Sequence, residues 1–183
     1  MKQKPIHPVR KEAPPVRAER KKTKLSNGVH LAKITRPTLS GVLPRKRLFR
    51  LLDSGRRQPI VWIHGHPGSG KTTLVTSYLD ARKLQYLWYQ LDERDGDVAS
   101  FFYYLRMAVS QTIKKQKPLP VLGPEYLPGL STFTKRFFEA LYDKMPSPFI
   151  LVFDNYQDVP PSSNFHEVLH YGLSLIPEGI KPS

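Results

Sequence analysis

Apolar positions along this chain fall in blocks with two different periods. Residues 59–64, 85–91 and 149–153 hold short runs of the length predicted for buried strands: Ile60-Val61-Trp62-Ile63, Tyr86-Leu87-Trp88-Tyr89 and Phe149-Ile150-Leu151-Val152-Phe153. Around them the spacing becomes helical. Leu48, Leu51 and Leu52 predict a helix over 45–52, stopped near Gly55. A second helix is predicted over 72–81. Phe101, Phe102, Tyr104, Leu105, Ala108, Val109 and Ile113 mark a long amphipathic helix. Phe133, Phe137, Phe138 and Leu141 mark another over 132–144, capped by Ser131. A last helix over 164–175 follows Pro160-Pro161, while residues 92–97 read as an acidic, solvated turn and 114–128 as a Lys/Pro-rich loop. Strands alternating with helices predict an α/β fold with a parallel sheet.

Charge changes this picture only at one end. The chain has a net charge of +14, but residues 1–50 hold 15 Lys/Arg against Glu12 and Glu19, and residues 51–183 hold 14 against 13 acids. Residues 1–30, with Pro5, Pro8, Pro14 and Pro15 among the cations, are expected to form a disordered basic tail, because they cannot bury enough apolar surface to offset ordering entropy. The ordered domain is expected over 31–183. The tail reads either as a non-specific contact for nucleic acid or another polyanion, or as a solubilising extension. There is no cysteine, so no disulfide framework, and no apolar run nears the ~18 residues of a membrane span. A cytoplasmic protein without membrane contact is the expectation.

The candidate chemistry lies at Gly65-His66-Pro67-Gly68-Ser69-Gly70-Lys71-Thr72-Thr73, which fits G-x-x-x-x-G-K-[ST] between a predicted strand and a predicted helix. Glycines let successive backbone N–H groups turn inward around phosphates, and the helix N-terminus adds partial positive charge there. Lys71 can reach the β- and γ-phosphates, and the Thr72 hydroxyl can ligate Mg²⁺. Such a site needs a carboxylate at the end of a neighbouring buried strand. Asp154, closing Phe149-Ile150-Leu151-Val152-Phe153-Asp154, is placed for that role on the metal side. With Lys71 it is the best candidate for catalysis. The next position, where many hydrolysing proteins carry a second acid, is Asn155. An amide can hydrogen-bond water but cannot take its proton, and Asp158 or Glu93 could substitute only if the fold brought one near. Binding of ATP or ADP with Mg²⁺ and slow or absent turnover is therefore expected, with at most a weak ATPase.

Four blocks in order resemble the N-terminal part of the nucleotide-binding domain of large MalT-like, LuxR-family bacterial transcription regulators, which are STAND-class ATPases. They are Ile34-Thr35-Arg36-Pro37 with Leu43-Pro44-Arg45-Lys46-Arg47-Leu48, the glycine-rich loop, Trp88-Tyr89-Gln90-Leu91-Asp92-Glu93-Arg94-Asp95, and Leu151-Val152-Phe153-Asp154-Asn155-Tyr156. The resemblance covers about residues 31–180. It implies an ATP/ADP switch that binds an inducer, self-associates and reaches DNA only through a distant domain absent from this chain. It also implies that Gly65, Gly68, Gly70, Lys71, Thr72 and Thr73 hold phosphates and Mg²⁺, and that Val42, Leu43 and Arg45 approach the adenine.

The resemblance further implies a sheet of order 5-1-4-3-2, so that the chain is expected to be truncated just before strand four. Strands one and three would then expose unpaired edges, unless strand three closed against strand one. Two other readings compete. A self-contained P-loop ATPase or small-molecule kinase would need an Arg-rich lid, for which only Arg106 and Arg136 in helices are at hand. A nucleic-acid-binding protein would be led by the basic tail.

Overall fold

A computed structural model describes residues 32–113 and 117–177. The expected tail over 1–30 and the lysines at 114 and 115 lie outside the described residues. Five α-helices and two strands follow in order among the described residues: α1 Lys46–Gly55, α2 Lys71–Arg82, β1 Gln85–Gln90, α3 Val98–Thr112, α4 Leu130–Tyr142, β2 Phe149–Asp154 and α5 Phe165–Ser174. Short 3-10 turns, Glu93–Gly96, Pro124–Gly129 and Tyr156–Asp158, join several of them. The architecture is α/β, with β1 and β2 paired in parallel from Gln85↔Phe149 to Gln90↔Asp154. That pairing is compatible with the strand order expected above, in which these two are neighbours.

Residues 59–64 depart from expectation. They join no ladder, because β2 pairs with β1 and no other strand lies alongside them among the described residues. An apolar run makes a strand only when a partner takes its N–H and C=O groups. The side chains dock elsewhere. Trp62 stands edge-on to Tyr156, ring centres 4.9 Å apart, yet stays 65% exposed. Nor does Ser131 cap α4. The Pro124–Gly129 turn runs directly into the helix at Leu130, which leaves Ser131 inside the first turn.

The two faces of the sheet are unequal. Leu87 and Tyr89 of β1 point into a large core with Phe101, Phe102 and Leu105 of α3, Phe133, Phe137, Phe138 and Leu141 of α4, and Phe165 of α5. Asp97 caps α3, accepting hydrogen bonds from the backbone N–H groups of Ala99 and Ser100. Gly172 lets α5 approach α4, since a Cβ there would overlap the Phe138 ring. Trp88, between Leu87 and Tyr89, is buried on the opposite face of the strand, as alternation requires, and belongs to neither apolar cluster. A much smaller cluster, Phe49, Leu74 and Tyr78, joins α1 to α2.

Candidate phosphate-binding site

Residues 65–70 form a tight loop leading into α2. Gly68 and Gly70 have φ of +75° and +80°, backbone that a side chain would strain, and Gly70 forms the N-cap of α2. The Ser69 N–H donates to His66 O at 3.1 Å, and a Cβ on Gly65 would lie 3.0 Å from Ser69 Oγ. His66, Pro67, Gly68 and Ser69 are exposed, so a ligand can reach the loop. Lys71 curls back over it, its Nζ donating to Gly65 O at 2.9 Å and His66 O at 3.2 Å. Thr73 lies in the first turn of α2, where its carbonyl accepts from Ser77 Oγ.

The parallel register sets Asp154 at the same end of the sheet as Gln90. There it meets α2. The Thr72 hydroxyl donates to Asp154 Oδ2 at 2.9 Å and lies 3.2 Å from Oδ1, across 82 residues of sequence. A hydroxyl and a carboxylate in contact offer a hard cation two oxygens, and Mg²⁺ in such sites takes the rest from phosphate and water. The donor set therefore fits a Mg-phosphate group: Lys71, the loop N–H groups and the α2 N-terminus for the anion, Thr72 and Asp154 for the metal.

Arg45, in the segment expected to approach an adenine, reaches the glycine-rich loop. Its Nη1 donates to Ser69 O at 3.2 Å, and its guanidinium lies against Gly70. Leu43, expected beside it, is 86% exposed. Asn155 has φ of +62°, a left-handed conformation that asparagine tolerates better than most residues. Its N–H donates to Asp154 Oδ1 at 3.1 Å, holding the carboxylate from behind. Glu93 and Asp158 are both exposed, and neither bonds a loop residue.

The acidic turn is not simply solvated. Asp95 is fully buried, with Lys33 Nζ 2.6 Å from its Oδ2 and the Tyr89 hydroxyl 2.6 Å from its Oδ1. Asp92 caps the turn and sits 2.8 Å from the same ammonium. Burial alone would raise the Asp92 carboxyl, but hydrogen bonds from Arg94 and Lys33 outweigh it and hold it below its ordinary value. Burial first, and then the Asp95 charge, push the Tyr89 phenol far above its usual range. Arg36 adds a second tie, donating to Asp80 at 2.5 Å and to Thr76 O at 3.2 Å on α2. Neither clamp was predicted. A lysine inside the apolar stretch Leu31–Ile34 was the one available signal.

Fold and site define an α/β domain in which a glycine-rich loop, a lysine, a threonine and a strand-end carboxylate converge at one end of a parallel sheet. The chain belongs to the family described as Nephrocystin 3, N-terminal, whose model matches residues 38–177. No curated protein matches it. The matching family is a different one from the MalT-like regulators that the sequence blocks resemble. The match includes the loop, Asp154 and α5, and it begins after Lys33 and Arg36. No helix among the described residues is long and apolar enough to cross a membrane.

Proposed function

We propose that this chain is a nucleotide-binding module that holds Mg-ATP or Mg-ADP at the 65–73 loop and acts as a conformational switch, with slow or absent hydrolysis. The contact between Thr72 and Asp154 carries the reading. Chance gives little reason for a threonine in the first turn of the helix that follows the glycine-rich loop to meet a carboxylate 82 residues away. Lys71 supports it, since its ammonium is held against the carbonyls of the glycine-rich loop, where it could meet a bound phosphate. Asn155 supports the slow turnover, because it cannot accept a proton from water. The finer reading places the module in a signal-responsive regulator of the MalT-like kind.

The kinase alternative loses its arginines. Arg106 Nε donates to Leu119 O and Arg136 Nη1 to Tyr126 Oη, so both hold down the 117–129 segment rather than cover a transferred phosphate. The test is calorimetric titration of ADP and ATP, with Mg²⁺, into the wild type and Lys71→Ala. We expect at least about a tenfold loss in the variant, the size of a lost charge-assisted contact. Equal affinities would sink the phosphate cradle.

A further inference from the structure

Residues 1–57 hold 17 Lys/Arg against Glu12, Glu19 and Asp53, whereas residues 58–183 carry 12 of each sign. The whole excess charge thus extends past the expected tail into a folded element, α1. Arg45, Lys46, Arg47, Arg50, Arg56 and Arg57 lie on or beside that helix, and its one acid is already taken. Asp53 accepts from Arg82 at 2.6 and 3.0 Å and from the Tyr78 hydroxyl at 2.8 Å. Lys46 and Arg50, one helical turn apart, have no carboxylate partner among the described residues.

These two cations flank a groove of about 480 Å³ between α1 and the C-terminal end of α2. Pro44, Phe49 and Ala81 give it an apolar lining, and Arg82, stacked over the Phe49 ring, closes one wall. Along α2 the groove stands roughly 15 Å from Lys71, so it is separate from the phosphate loop. We propose that it docks an acidic peptide segment that inserts an apolar side chain between Lys46 and Arg50. The observations favour this partner over a nucleic acid. The groove is apolar, among the described residues no exposed aromatic lines it for base stacking, and the exposed Leu43 and Leu51 nearby suit a protein surface better than a phosphodiester backbone.

The test uses the full chain and fluorescence anisotropy at low salt with a labelled hexapeptide, Glu-Glu-Leu-Phe-Glu-Glu. Binding should fall by at least about tenfold with Lys46→Glu/Arg50→Glu, because charge reversal turns attraction into repulsion. Ala81→Trp, which fills the groove and keeps every charge, should weaken it comparably. Both changes lie on exposed positions, and an unchanged thermal melt confirms that each variant is folded. Lys135→Glu on α4 should bind as wild type does. Three results overturn the proposal: no binding of the hexapeptide, equal binding of a version with glycines for Leu and Phe, or tighter binding of duplex DNA through the same residues.

Discussion

Lys33 Nζ and Asp95 Oδ2 lie 2.6 Å apart across 62 residues of sequence, and water reaches almost none of either side chain. The pair fastens the segment that precedes α1 to the turn that follows β1. Tyr89 satisfies the second oxygen of Asp95, and Asp92 shares the ammonium. Replacing Lys33 with Met strands a buried carboxylate and should cost about 3–5 kcal/mol. Urea unfolding followed by tryptophan fluorescence measures it. Adding Asp95→Asn to that variant should recover part of the loss, because the stranded charge is gone.

Asp154→Asn keeps the shape of the side chain and removes its charge. Under the proposed function, ADP affinity should no longer rise when Mg²⁺ is added, while affinity measured in EDTA stays near wild type. A Mg²⁺ response equal to that of the wild type would detach Asp154 from the metal side.

Thr76 is fully buried, and its hydroxyl has no hydrogen-bond partner among the described residues. Thr76→Val keeps the shape and removes that unsatisfied group. The variant should be more stable by about 1 kcal/mol, the lower end of the cost of leaving such a group unpaired. Thermal melting decides the matter, and a fall in Tm would mean that the hydroxyl is satisfied in solution.

The Arg82 hydrogen bonds hold the Asp53 carboxyl at about 2, below its ordinary value of 3.8. A depressed carboxylate stabilises the fold above the unfolded value, and that contribution disappears as pH falls through the folded one. Asp53→Asn should therefore melt lower than the wild type at neutral pH. The gap should close between about pH 4 and pH 2. A gap that persists below pH 2 would assign the effect to packing rather than charge.

Much of the fold was legible, because long amphipathic helices declare themselves locally. The aromatic spacing from Phe101 to Val109 and from Phe133 to Leu141 needed only periodicity, and both helices formed within a few residues of their expected bounds. The glycine-rich pattern and Asp154 stand out in the sequence, and the structure brings the Thr72 hydroxyl to the Asp154 carboxylate. Residues 59–64 misled for a non-local reason: apolar content is in the sequence of a strand, but its partner is not. The Lys33–Asp95 pair escaped for the same reason. Asn155 was read as chemistry alone, and its left-handed backbone supplies a conformational reason for the same residue.

The disparity between the two faces of the sheet has a consequence for motion. Nearly all the large aromatic side chains are packed on the side of α3, α4 and α5, while α1 and α2 bury a smaller set: Phe49, Leu74, Thr76, Tyr78 and Leu79. Elements with few buried contacts open at a fraction of the global unfolding free energy. Amide exchange in α1 and α2 should therefore outrun that in α3 and α4 by orders of magnitude. The glycine-rich loop leads into α2, on the side with the fewer buried contacts, so under the proposed function a bound nucleotide would slow exchange there first.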